Sequence, residues 1–135
     1  MSIVNEGINI EANDLISFGN YEAIDKIKAK IEVSGDEYAV KTHKEITRLE
    51  KNGMLLLETV PGAAVFNFEM KEDRASFSAE GIGDTQITIG LIPETTYSLT
   101  VDDEKVGGLE TQKSSGKVVF SVDLSGKRSI VLQKD

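Results

Sequence analysis

Gly81-Ile-Gly-Asp-Thr-Gln-Ile-Thr-Ile-Gly90-Leu-Ile-Pro-Glu-Thr-Thr-Tyr-Ser-Leu-Thr-Val101 is the stretch on which the reading of this chain turns. Ile87, Ile89 and Leu91 alternate with Thr88 and Gly90, and beyond Pro93 the same parity runs through Thr95, Tyr97, Leu99 and Val101. A period of two puts alternate side chains on one face of a strand. Proline has no N–H to give to a ladder, so pairing must break at Pro93. The pattern predicts two strands joined by a corner at Ile92–Glu94, with Tyr97 just inside the second. Such a corner is where a chain crosses between the sheets of a β-sandwich.

Working outward, Val65–Met70 and Ala75–Glu80 read as a hairpin around Lys71-Glu72-Asp73-Arg74, with Phe66, Phe68, Phe77 and Ala79 pointing inward. After the corner strands, Asp102-Asp103-Glu104 reads as a turn, Gly107-Gly108 as turn glycines and Ser114-Ser115-Gly116 as a further break. Val118, Phe120, Val122 and Leu124 then alternate, and Ser125-Gly126-Lys127 leads into a last strand at Ser129–Gln133. On the N-terminal side, short apolar pieces between Ser2 and Asn20 are broken by Gly7, Asn13-Asp14 and Gly19-Asn20. Residues 21–32 and 45–52 carry both helical and strand spacing. Clean alternation of Ile27, Ala29, Ile31 and Val33 favours a strand, closed by Ser34-Gly35-Asp36-Glu37 onto Tyr38–Thr42. Asn52-Gly53 favours a hairpin into Met54–Val60, whose continuous Met54–Leu57 suggests a strand buried on both faces. Pro61-Gly62 marks the boundary between an N-terminal hairpin and meander region, 1–60, and a sandwich region, 61–135, packed as one unit. The expected fold is all-β: an antiparallel β-sandwich of roughly eight to ten strands with at most one or two helical turns.

Leu91-x-Pro93-x-Thr95-x-Tyr97-x-Leu99-x-Val101, within residues 86–101, resembles the corner between the fifth and sixth strands of fibronectin type III and related immunoglobulin-like sandwiches. The resemblance implies an immunoglobulin-like C-terminal half in which the Tyr97 hydroxyl bonds back to the backbone upstream. Tyr97 and Pro93 are then structural residues. A looser resemblance spans the whole chain. Phe18-Gly-Asn-Tyr21, Ile46-Thr-Arg-Leu-Glu-Lys-Asn-Gly53, Val60-Pro-Gly62 and Asp84-Thr-Gln-Ile-Thr-Ile89 are similar to segments of small bacterial proteins of the Firmicutes. Some of those carry an endosialidase label. That activity does not carry across, because sialidases use an arginine cluster on a large propeller. Here Arg48, Arg74 and Arg128 are scattered over a chain too short for several four-stranded blades.

The 135 residues suffice for one self-supporting core. With no cysteine, disulfides, thiolate metal sites and cysteine nucleophiles are excluded. A formal net charge of −8 argues against nucleic acid, which needs a basic face. No apolar run approaches the roughly 18 residues of a membrane span, so no membrane partner is expected. The first residues have no basic start or apolar middle of an export signal. A native Met1 would imply the cytoplasm; a chain trimmed of its signal would belong to the cell surface or the medium.

Chemistry-bearing residues are sparse. The one histidine, His43, would need three carboxylates to complete a zinc site, and no Gly-x-Ser-x-Gly elbow presents a serine to it. Asp102, Asp103 and Glu104 offer hard oxygens to a calcium ion, without EF-hand spacing. Tyr21 and Tyr38 are the candidate platforms for stacking a sugar. No catalytic residues and no cofactor are assigned. The expected function is a non-catalytic protein-interaction or assembly module, with a protein partner or self-association through sheet edges. The alternative is a glycan-binding or glycan-processing accessory domain.

Overall fold

The computed structural model describes residues 3–4, 6–112 and 115–135. They form thirteen strands: β1 (Ile8–Ile10), β2 (Ile16–Phe18), β3 (Ile27–Val33), β4 (Asp36–His43), β5 (Ile46–Lys51), β6 (Met54–Val60), β7 (Ala63–Met70), β8 (Arg74–Gly81), β9 (Asp84–Gly90), β10 (Thr96–Val101), β11 (Glu104–Glu110), β12 (Lys117–Asp123) and β13 (Arg128–Lys134). The helical content among the described residues is one three-residue turn, Ala12–Asp14. Neither ambiguous stretch is helical: residues 21–26 are turns and bends that lead into β3, and 46–51 are the strand β5. Their turns explain why: Ser34-Gly35 and Asn52-Gly53 take positive φ at both central positions, which matches a two-residue hairpin to the twist of its strands.

The strands build two antiparallel sheets, ordered β1-β2-β7-β8-β13-β10-β11 and β12-β9-β6-β5-β4-β3. Residues 1–60 supply β1 and β2 to the first and β3–β6 to the second, and residues 61–135 complete both. The Val60-Pro61 peptide, which is cis, therefore lies where the chain crosses from one sheet to the other. The predicted corner is another such crossing, since β9 ends in the six-stranded sheet and β10 begins in the seven-stranded one.

The core lies between the sheets. Register places Val40, Leu49, Leu57, Ile89 and Val118 in one row across the six-stranded sheet, all buried. Phe18, Phe68, Phe77, Ile130 and Leu132 come from the other sheet, with Phe68 edge-on to Phe18 at 6.0 Å between ring centroids. The thirteen strands exceed the expected eight to ten, and three further expectations are corrected here. Phe66 is only half-buried, because a bulge between Phe66 and Glu69, with Asn67 at φ 54°, changes which side chains of β7 face inward. Its ring instead lies 4.4 Å beneath the Lys127 Nζ. Of Met54–Leu57 only Leu57 is fully buried: a register shift between Leu49 and Glu50 sets Leu55 opposite Glu50 on the outer face, and Met54, beside the Asn52-Gly53 turn, is 75% exposed. Gly107 and Gly108 lie inside β11 rather than in a turn. Ser114 lies outside the described residues.

A buried hydroxyl network ties the sheets together at one end. The Asn20 N–H donates to Thr42 Oγ1 at 2.8 Å, and Thr42 Oγ1 lies 2.8 Å from Thr47 Oγ1. Thr47 in turn donates to the Ala63 carbonyl at 2.8 Å and accepts from the Ala63 N–H at 3.1 Å. Beside it, Gly62 is compulsory: a Cβ there would run into the carbonyl oxygen of His43.

Candidate functional site

The β3–β4 hairpin determines the most unusual surface of the molecule. Its two-residue turn pairs Val33 with Asp36, and an unbroken register then runs back to Ile27 opposite Thr42. In such a hairpin the pair flanking the turn is hydrogen-bonded, and bonded pairs alternate with unbonded ones. Ile27, Ala29, Ile31 and Val33 therefore bond to β4. Lys28, Lys30 and Glu32 turn their N–H and C=O groups the other way, toward the free edge of the sheet, where no backbone group among the described residues meets them.

The same parity sorts the side chains. Ile27, Ala29, Ile31 and Val33 point toward the core and are half-buried, while Lys28, Lys30 and Glu32 are exposed on the outer face. Lys28 stands directly opposite Lys41 in an unbonded pair, the arrangement that brings cross-strand side chains closest. Next in that row is Arg48, on β5. Arg48 is compensated by Glu58 at 2.8 Å and Glu50 at 3.2 Å, and Lys30 by Glu37 at 3.8 Å. Lys28 and Lys41 have no carboxylate within ion-pair distance among the described residues. Between these cations the small Ala39 leaves a shallow depression of about 350 Å³ with an apolar floor. A chain with 23 acidic and 15 basic residues thus keeps side by side two ammonium groups with no ion-pair partner among the described residues, one on the edge strand and one on its neighbour.

The residues singled out in the sequence lie elsewhere. Tyr21 is 2% exposed, so its ring offers no face to a sugar. Burial, then the charges of Glu80 and Glu22, push its phenol above the ordinary value. Tyr38 is half-buried against the core, with the Lys51 Nζ 5.9 Å from its ring centre. Of the two tyrosines, only Tyr38 keeps part of its surface open to solvent. His43, at the end of β4, pairs with Ile46 across the Lys44-Glu45 turn.

Asp102 and Asp103 are the two central residues of the β10–β11 turn, both at positive φ. The two carboxylate oxygens of Asp102 are already engaged, Oδ2 by Arg128 Nη1 and Oδ1 by the Ser129 N–H, each at 2.9 Å. Those hydrogen bonds, the Ser129 one foremost, hold its carboxyl below the usual carboxylate range. No group of three or more potential metal ligands gathers among the described residues, Asp102, Asp103 and Glu104 included.

At the corner, Tyr97 is buried and its hydroxyl accepts from the Ile92 N–H at 3.5 Å, the outer limit of a hydrogen bond. The shorter bonds belong to Thr111. Its hydroxyl donates to the Ile92 carbonyl at 2.7 Å and accepts from the Thr95 N–H at 2.9 Å. Pro93 is exposed at the apex. The sequence carried no sign of Thr111, which reaches the corner only through the pairing of β11 with β10.

Comparison of the chain with protein-family models, curated proteins and solved structures finds no match.

Proposed function

We propose that the protein is a non-catalytic interaction or assembly module that works through its sheet edges. The observation behind this reading is the length of those edges. Among the described residues, strands β3, β11 and β12 are each seven residues long and each pairs on one side only. An edge is a row of unpaired N–H and C=O groups, and sheets commonly blunt it by keeping the edge strand short. That device is used once, at the three-residue β1. The other edges stay long, with Val106 on β11 63% exposed and Val119 on β12 44% exposed. An added strand would gain main-chain hydrogen bonds from such an edge and specificity from alternate side chains.

A photo-cross-linking residue placed in turn at Lys30, Val106 and Val119 tests the reading in the cells that make the protein. Adducts to one defined protein, or to the chain itself, are expected from an edge position and not from Ser125, in an exposed turn. Sedimentation across a concentration series then separates self-association from a different partner. Absence of any edge-specific adduct, together with a sedimentation coefficient that does not change with concentration, would contradict it.

A further inference from the structure

We propose that the free edge of β3 receives an extended segment of another polypeptide in which acidic residues alternate with apolar ones. This rests on the reading of the protein as an edge-strand interaction module and names the partner's chemistry. Three observations converge on it. The backbone groups of Lys28, Lys30 and Glu32 face outward along a bulge-free edge. Lys28 and Lys41 lie opposite each other without a carboxylate among the described residues, and like charges so placed repel. The inward row Ile27, Ala29, Ile31 and Val33 is only half-buried, so part of its apolar surface stays open at the sheet edge.

An incoming strand answers all three at once. Its main chain completes the ladder. Every second side chain falls on the outer face, at roughly 7 Å spacing, where carboxylates meet Lys28, Lys30 and Lys41. The intervening side chains fall on the inner side, where apolar groups cover the half-buried row. None of the thirteen strands of this chain carries acidic residues at two alternate positions with an apolar residue between. The complement is therefore sought in a different polypeptide rather than in a second copy.

The probe is a short capped peptide alternating glutamate with valine, set against a scrambled peptide of the same composition and against heparin. By nuclear magnetic resonance, the alternating peptide is expected to protect the N–H groups of Lys28, Lys30 and Glu32 from exchange. The double variant Lys28→Glu, Lys41→Glu should weaken its binding by about tenfold or more. Glu32→Pro removes one outward N–H and leaves the β3–β4 ladder intact, a position where an edge strand tolerates proline. It should abolish peptide binding even though it makes the face more positive, and circular dichroism would verify that both variants fold. Equal binding of the scrambled peptide, or heparin binding that competes with the peptide and survives Glu32→Pro, would overturn the proposal in favour of a general polyanion surface. Self-association lost in the lysine double variant would overturn it in favour of a second copy. If the peptide fails to bind while cross-links form from Val106 or Val119, this proposal falls and the interaction reading stands. If neither occurs, both fall.

Discussion

The hydroxyls of Thr42 and Thr47 lie 2.8 Å apart in the closed interior, and the direction of the proton between them follows from their neighbours. Thr47 has one proton and gives it to the Ala63 carbonyl, so Thr42 must donate to Thr47 and accept from the Asn20 N–H. The next residue in the same row, Thr59, is equally buried and its hydroxyl has no hydrogen-bond partner among the described residues.

This contrast gives one substitution with two signs. Thr47→Val keeps the shape but strands the Ala63 N–H and the Thr42 hydroxyl, and should cost about 1–3 kcal/mol. Thr59→Val exchanges an unsatisfied hydroxyl for a methyl group, and should be neutral or stabilising. Urea titration of both variants measures the difference, and equal losses would contradict the assigned network.

At the corner, Thr111→Val should destabilise more than Tyr97→Phe. The valine leaves both the Ile92 carbonyl and the Thr95 N–H without their side-chain partner, at a cost of about 1–3 kcal/mol. The phenylalanine loses only a bond at the distance limit, and a cost below about 1 kcal/mol is expected. Denaturation midpoints in the opposite order would return the corner to the tyrosine.

Gly62→Ala should be among the more damaging single-atom additions, because the new methyl would meet the backbone of His43 and Lys44 rather than a side chain that can swing aside. A loss of about 1–3 kcal/mol or more is expected. Gly35→Ala has open space, and its cost comes only from its φ of +86°. Thermal melts of the two variants compare steric and conformational penalties directly.

Asp102 gives the pH dependence its sign. Its carboxyl titrates below the ordinary aspartate value when folded, so its contribution to stability is present above about pH 3.9 and is lost as pH falls through the lower folded value. Asp102→Asn keeps a residue tolerant of positive φ and removes the titration. Its melting temperature should fall less steeply than that of the wild type on acidification. Identical acid profiles would show that Asp102 contributes nothing to them.

The readable features were the local ones. Alternation around Pro93 announced the crossing between sheets, because period and missing N–H act within a few residues. Asn52-Gly53 announced its own turn for the same reason. The bulge at Asn67, which turns Phe66 out of the core, depends on how β7 meets two neighbours at once. So does Thr111, whose role exists only after β11 has paired. The opposition of Lys28 and Lys41 was within reach: taking Ser34-Gly35 as a two-residue turn and counting back places them across from each other. Closing the loop over Ser34–Glu37 instead hid the pair. Tyr21 misled because an aromatic residue in a polar stretch carries no mark of its burial.

The open edge of β3 is tested most directly by amide exchange, residue by residue, in the free protein. The N–H groups of Ile27, Ala29, Ile31 and Val33 should be protected by β4, while those of Lys28, Lys30 and Glu32 exchange freely. Uniform protection along β3 would mean that the edge is already covered, and would contradict its role as a docking strand.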